Sequence, residues 1–191
     1  MKEQYNSITF VVPALNEEKA VRNTVNEIIS VLEKNSIEGE IILINDGSND
    51  RTGIIADEIA NSNYCVKVIH HRRPMGIGHC FREGVEKSTK KAVTWLPGDG
   101  ENDPYEIVKY LSLLDHVDIV NPFVINPTER PFLRRFLSQI YLLIVNLLFG
   151  TSFHYTNGNV LYQRKVFDQV KNISNGFFYQ TECLVKAVRA G

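Results

Sequence analysis

The sequence predicts an α/β domain built on a single doubly wound, mainly parallel sheet flanked by helices. Three observations carry that expectation. Short runs rich in aliphatic residues (Ile8–Val12, Glu40–Ile44, Cys65–Ile69, Ala92–Leu96 and Asp118–Val120) have the continuous hydrophobicity of strands buried on both faces. Segments with helical spacing separate them, and strict alternation of strand and helix implies crossover connections. Polar or glycine-containing turns follow the runs, at the strand ends where open parallel sheets hold their ligands.

Taken in order, the first strand reads Ile8 to Val12 and is stopped by Pro13. Asn16 can cap the helix that follows, with Glu17 and Glu18 in the first turn, where the helix dipole favours acid. Val21, Val25, Ile28, Ile29 and Leu32 give that helix one apolar face. Gly39 separates it from the second strand, which ends in the turn-and-cap cluster Asn45 to Asp50. A helix over roughly Arg51–Ala60 and the third strand follow. Next come a basic turn, His70 to Pro74, and a glycine-spaced entry, Gly76-Ile77-Gly78, into a third helix.

The fourth strand leads into the acidic turn Gly98-Asp99-Gly100-Glu101. Asp103 can cap a helix opened by Pro104 and ending near Leu114, before the fifth strand. Pro122, Pro127 and Pro131 mark an irregular connection to an amphipathic helix, Phe132–Phe149. Arg134, Arg135, Ser138, Gln139 and Asn146 form its polar stripe, with Ile140, Leu143, Ile144, Leu147 and Leu148 largely off it. Two readings stand: packing on the core or on a missing C-terminal segment, or lying in a membrane surface with the arginines near lipid phosphates. Tyr155 to Asn159 leads into a short strand, Val160–Tyr162, and Phe177 to Gln180 into a closing helix around Glu182.

At 191 residues the chain suits one domain, residues 1–191, with a nucleotide-binding part over about 1–120 and an acceptor- and membrane-proximal part over about 121–191. Hydrophobic residues at 43% and charged residues at 23% are those of an ordinary globular protein. A net charge of −1 argues against a general polyanion surface, so nucleic acid is not an expected partner. The three cysteines lack metal-ligand spacing and read as reduced thiols of a cytoplasmic protein. The N-terminus has no signal-peptide core, and no apolar run reaches the roughly 18 residues of a spanning helix. The abrupt end after a helix suggests a C-terminal truncation that removes further elements, membrane segments among them.

Asp99 and Glu101, two apart in an extended turn, can point to one side and share a hard cation; the alternative is a solvated turn with Asp103 as a helix cap. Asp46-Gly47-Ser48 is either a cap turn or a carboxylate that accepts from a nucleobase or ribose. Gly76-Ile77-Gly78 lacks the third glycine and distal acid of a dinucleotide fingerprint. The basic turn is either solvated or neutralises a diphosphate. His79 and His154 are isolated and carry no expected metal role.

Together these residues resemble family 2 glycosyltransferases of the A-type, Rossmann-like fold, in particular the branch typified by dolichol-phosphate-mannose synthase. The matching blocks are Val11 to Glu18, Ile44 to Thr52, Gly76-Ile77-Gly78 with Arg82 and Gly84, Gly98 to Pro104, Thr156-Asn157-Gly158, and Phe178 to Glu182. The resemblance implies a nucleotide-sugar site made by Pro13, Ala14, Leu15, Glu17, Asp46, Ser48, Gly76, Arg82 and Asp99. It also implies Mg²⁺ or Mn²⁺ on Asp99, with Glu101 where the branch has a metal-binding Gln or similar residue.

The family's first metal-site acid is replaced by Pro97. Two acceptor-phosphate arginines are also missing, at Asn121-Pro122-Phe123 and at Asn157-Gly158-Asn159-Val160. Arg134, Arg135 and Arg164, with Asn157, are the candidates to take their place. The implied activity is metal-dependent, inverting transfer of a sugar from a nucleotide diphosphate to a polyprenyl phosphate or lipid-linked glycan, in cell-envelope polysaccharide assembly. Asp99 is then the central catalytic residue, and Asp103 the candidate base if the acceptor is a hydroxyl. The implied location is the inner, cytoplasmic face of the membrane, held peripherally. The rival readings are a non-catalytic nucleotide-sugar-binding protein and a sugar-1-phosphate nucleotidyltransferase.

Overall fold

The computed structural model describes residues 5–122, 132–171 and 173–190. One six-stranded sheet runs through it in the order β3-β2-β1-β4-β6-β5. The strands are β1 (Ser7–Ala14), β2 (Glu38–Asn45), β3 (Val66–His70), β4 (Ala92–Trp95), β5 (Ile119–Val120) and β6 (Leu161–Gln163). The first four are mutually parallel, as continuous apolar runs with helical crossovers require. β6 lies antiparallel between β4 and β5. Hydropathy carries no strand direction, so its expected position was legible and its reversed pairing was not.

Helices α1 (Val21–Lys34) and α2 (Thr52–Ser62) pack with β1 and β2 into one apolar layer around Ile8, Phe10, Val25, Ile28 and Leu43. Helix α3 (Ile77–Lys87) and the closing helix α7 (Tyr179–Ala190) cover the other face. There Phe81, Tyr162, Phe167 and Tyr179 interlock at ring distances of 5.0 to 6.1 Å. Helix α3 can lie on β1 because Gly84 has no side chain: a Cβ there would meet Val11 Cγ1 at 2.4 Å.

Three element boundaries differ from the expectation, each for a local reason. β1 does not stop at Pro13 but runs through Ala14, because β4 is already turning away and asks no donor of Pro13. The Pro13 carbonyl accepts from Gly98 N–H at 2.9 Å instead. Asn16 does not cap α1, which starts five residues later; it sits at φ 59° and is engaged by the β2–α2 loop. The expected helix from Pro104 to Leu114 is broken into α4 (Tyr105–Val108) and a 3₁₀ turn over Leu111–Asp115.

Helix α5 (Phe132–Phe149) is present as expected, but it is not a core helix. Val145 is buried, whereas Leu143, Ile144, Leu147 and Leu148 are all exposed, the last two at 75% and 70%. Polar bonds tie it down: Tyr141 Oη to Thr181 Oγ1 at 2.7 Å, and Asn146 to both backbone groups of Phe153 at 3.0 and 2.9 Å. Among the described residues no helix is long and apolar enough to cross a membrane. Helix α6 (Val166–Gln169) completes the set.

The chain before α7 is held by Glu182, whose buried carboxylate accepts from the N–H groups of Ile173 at 3.0 Å and Ser174 at 2.9 Å and from Lys186. Burial works against its charge, but these donors outweigh that and lower its pKa from the ordinary 4.5 to about 2. The stabilisation is therefore complete above the ordinary carboxylate range and lost as pH falls through about 2. Glu182→Gln should lower stability at neutral pH by about 1–3 kcal/mol, the deficit against wild type narrowing in acid, as read from urea unfolding at several pH values. Gly84→Ala should cost about 1–3 kcal/mol by overpacking against Val11, read from the same transitions.

Candidate functional site

The carboxyl ends of β1, β2 and β4 converge on one edge of the sheet, and backbone bonds set their loops. Ala14 C=O accepts from Asp46 N–H at 2.9 Å, drawing β2's end to β1. The two following loops are then stitched by side chains. Ser48 Oγ accepts from Asn16 N–H at 3.0 Å, Asn16 Oδ1 from Asn49 N–H at 2.9 Å, and Thr52 Oγ1 from Glu17 N–H at 2.8 Å. Glu18 and Asp50 each accept across the same seam at 3.1 Å. Ser48 is thus occupied in holding Asn16, and Ala14 is buried, while Leu15 is exposed beside them.

The acidic turn follows β4. Asp99 Oδ1 accepts from Glu101 N–H at 3.0 Å, and Gly100 at φ +76° supplies the left-handed residue that lets the chain close on itself. Glu17, arriving from β1, feels this turn. Burial raises its pKa, and the nearby charges of Asp99, Asp50 and Glu101 raise it further. Carboxylates from two strand ends are therefore crowded together, and their oxygens suit a hard divalent cation.

Asp103 is turned away from this group. Its carboxylate accepts from Tyr105 N–H at 2.8 Å, the capping role, and it lines a neighbouring groove against α1 with Glu27 and Lys34, which shares Glu101 and Asn102 with the larger cleft alongside.

Beside the acidic turn opens a cleft of about 720 Å³. Asp99, Glu101 and Asn102 form one wall; Leu137, Tyr141 and Leu142 of α5 and the pair Phe177–Phe178 form the others. Asn157 and Asn159 lie between, where the chain enters β6. Asn159 Nδ2 donates to Asn102 Oδ1 at 3.0 Å, and Trp95 Nε1 donates to Gly158 C=O at 3.3 Å, so this entry is wired to the acidic turn.

Of the expected acceptor residues whose side chains are described, Asn157 and Arg164, Asn157 is brought to the cleft. Arg164 lies at the opposite end of β4, its Nε donating to Ser88 C=O at 3.0 Å and its backbone N–H to Lys91 C=O. The side chains of Arg134 and Arg135 fall outside the described residues, as do Phe123, Pro127 and Pro131.

On the other side of the sheet edge, Asp46 is nearly buried. Its Oδ1 accepts from His71 Nδ1 at 2.6 Å and Met75 N–H at 2.8 Å, and its Oδ2 from Gly76 N–H at 3.0 Å. Burial raises its pKa, but these donors outweigh it and hold the carboxyl below its ordinary value. Arg82 reaches Asn175 Oδ1 and His79 Nδ1, both at 3.0 Å, and Gly78 N–H donates to Asn175 C=O at 2.7 Å. The loop before α7 is thus seated on the start of α3, next to the cleft residue Ile77.

His71 with Asp46 and Cys80, and with His79 and Glu83, are the groups of three closely spaced metal-type ligands among the described residues; short hydrogen bonds already engage both nitrogens of His71. Sequence reading placed His71 in the basic turn but missed its pairing with Asp46 and Glu83, because Asp46 stands 25 residues from His71 and 37 from Glu83 and no local pattern joins them.

The sequence and this geometry agree with comparisons to known proteins. The profile described as "Glycosyl transferase family 2" matches residues 9–171. The dodecaprenyl-phosphate galacturonate synthase of Rhizobium johnstonii is 24% identical over 168 residues, covering 86% of this chain and 50% of its own. The polyprenol monophosphomannose synthase of Mycolicibacterium smegmatis is 26% identical over 194 residues, covering 95% and 72%. Glucosyl-3-phosphoglycerate synthase from Mycobacterium tuberculosis, solved in complex with UDP, superposes with a TM-score of 0.73 at 19% identity, over 97% of this chain and 66% of that one. The chain spans 50% of the first of these relatives, so each is longer than the piece they share. The family match runs from β1 through the acidic turn and α5 to just past β6, and the chain belongs to glycosyl transferase family 2.

Proposed function

We propose that this chain is the catalytic domain of a metal-dependent, inverting glycosyltransferase that moves a sugar from a nucleotide diphosphate to a polyprenyl phosphate. The observation that carries the reading is the two-natured cleft. Crowded carboxylates stand at one end of it, and an exposed apolar helix with two phenylalanines stands at the other. A nucleotide sugar needs the first and an isoprenoid lipid the second. The named functions of the relatives, which include a dodecaprenyl-phosphate galacturonate synthase and a polyprenol monophosphomannose synthase, support this acceptor class.

In this reading Asp99 is the direct ligand of a Mg²⁺ or Mn²⁺ ion and Glu101 its partner. When bound, that ion neutralises the charge that builds on the departing diphosphate. Pro13, Leu15 and Glu17 border the nucleotide from β1, Asp46 offers its carboxylate to a base or ribose donor, and Arg82 and Gly76 approach from α3. Asn157 faces the acceptor, and Arg134 and Arg135 are the proposed partners of its phosphate. Asp103 is engaged outside the cleft, which favours an acceptor that is already anionic and needs no general base. Attack by the lipid phosphate on the face of C1 opposite the leaving group inverts that centre.

The exposed face of α5, continuous at the cleft mouth with Phe177 and Phe178, is the surface that meets the bilayer. Free thiols at Cys65, Cys80 and Cys183 suit its cytoplasmic side. The lipid-linked product belongs to the assembly of envelope polysaccharide.

Asp99→Ala should lower metal-dependent transfer by about 10²-fold or more with stability changed by less than about 0.5 kcal/mol; full activity would overturn the mechanism. A thermal-shift panel of UDP, GDP and CDP sugars with and without Mn²⁺ should show stabilisation by one base, dependent on the metal, and transfer assays with the same panel separate an enzyme from a binder. Leu143→Asp with Leu147→Asp should cut binding to polyprenyl-phosphate vesicles more than about tenfold, since each leucine buried in lipid is worth about 1.5–3 kcal/mol, while leaving the unfolding transition in place.

A further inference from the structure

Behind the turn between β3 and α3 a histidine lies between two carboxylates. His71 Nδ1 is 2.6 Å from Asp46 Oδ1, and His71 Nε2 is 2.7 Å from Glu83 Oε2. The ring is 9% exposed at its side chain, so water does not satisfy either nitrogen. A neutral imidazole has one N–H and one lone pair, and only the imidazolium donates to both acceptors. The titratable groups that face it are Asp46 from the end of β2 and His79, Cys80 and Glu83 from α3, with Arg82 beyond His79. Burial opposes the charged ring, but the hydrogen bonds to Asp46 and then Glu83 outweigh it and raise its pKa above 6.5.

Asp46 is where this matters. Its two oxygens take His71, Met75 and Gly76 as donors, and the Cys80 thiol is hydrogen-bonded to it as well. These partners together fix the direction in which the carboxylate can meet a ligand. Loss of the proton on His71 leaves a single N–H, which can hold Asp46 or Glu83 but not both, so one carboxylate then faces a bare ring nitrogen. The bridge that ties Asp46, and through it the Met75–Gly76 turn, to Glu83 is then broken at one of its two joints.

We propose that His71, bridged to Glu83, is the positioning residue of the donor site, fixing Asp46 and the Met75–Gly76 turn so that nucleotide-sugar affinity follows the protonation of this one ring. The inference rests on the placement of Asp46 in the donor site proposed above. The sign follows from the raised pKa. The bridge is complete below the ordinary histidine range, persists somewhat above it, and is lost as pH rises through the folded-state value.

The test is calorimetric binding of UDP-glucose and GDP-mannose, each with Mn²⁺, from about pH 6 to about pH 8.5, a window in which a sugar diphosphate has no titrating phosphate because its terminal oxygen is esterified. The tighter probe should lose about tenfold in affinity across the window with wild-type protein. His71→Asn, which can still donate to Asp46 but cannot titrate, should give a flat profile. Glu83→Gln should move the fall to lower pH by about one unit, because one of the two charges that hold the proton is gone. Unfolding midpoints measured alongside separate binding from folding.

A flat wild-type profile, or a fall that His71→Asn reproduces, overturns the positioning role. If Asp46→Asn nevertheless abolishes binding, the donor-site reading stands without it. Wild-type protein that binds neither probe, or folded Asp46→Asn that binds as wild type, overturns both.

Discussion

The cleft depends on the position of β1 at the centre of the parallel ladder. It pairs with β2 on one side and β4 on the other, and past its last ladder bonds it goes on accepting from both neighbours. Ala14 takes Asp46 N–H, Pro13 takes Gly98 N–H, and Val11 takes Leu96 N–H at 3.0 Å. Parallel strands deliver their carboxyl ends to one edge, and these bonds keep the ends together after the strands have stopped. Asp46 and Asp99 are thereby set on either side of β1, although 53 residues separate them in the chain. Once the strand ends are fixed, the seam through Asn16, Ser48, Glu17 and Thr52 hardens the loops between them.

Two kinds of acid result. Glu40, at the far end of the sheet, shows what a fully answered carboxylate looks like: Thr9 at 2.9 Å, Lys67 at 2.6 Å and Thr89 N–H at 2.9 Å leave it buried, ionised and structural. Glu182 belongs to the same class. Glu17, Asp99 and Glu101 belong to the other, brought near one another at the strand ends, with Asp99 and Glu101 lining the cleft. Unanswered negative charge next to an exposed apolar helix is costly for a free protein and useful to one that binds a metal diphosphate and a lipid together.

Much of this was readable before the fold was known. The apolar runs located all six strands to within two residues, and the turns after β1, β2, β3 and β4 named the edge where the site lies. Errors came where a local rule met a longer-range partner. Pro13 looked like a terminator because a central strand needs its donors, yet β4 leaves the ladder first. Asn16 looked like a cap because of its side chain, which the β2–α2 loop uses instead. Arg164 looked available as an acceptor arginine, but the reversal of β6 carries it to the opposite end of the sheet. His71 was legible only as part of a basic turn, and Glu83 not at all, since their pairing arises only when α3 folds back beside β2.

That reversal has a further effect on how the domain can change. Because β6 runs against β4, the chain enters the sheet at the cleft instead of leaving it there, and the segment 155–160 is set by the strand it precedes. Its bonds to Trp95 and Asn102 fix it from the β4 side. Insertions or replacements between positions 121 and 154 therefore alter what stands over the cleft without moving the carboxylates beneath it. On the proposed reading, the half that would hold a donor can stay constant while the half that would meet an acceptor diversifies, so one chassis could serve many recipients.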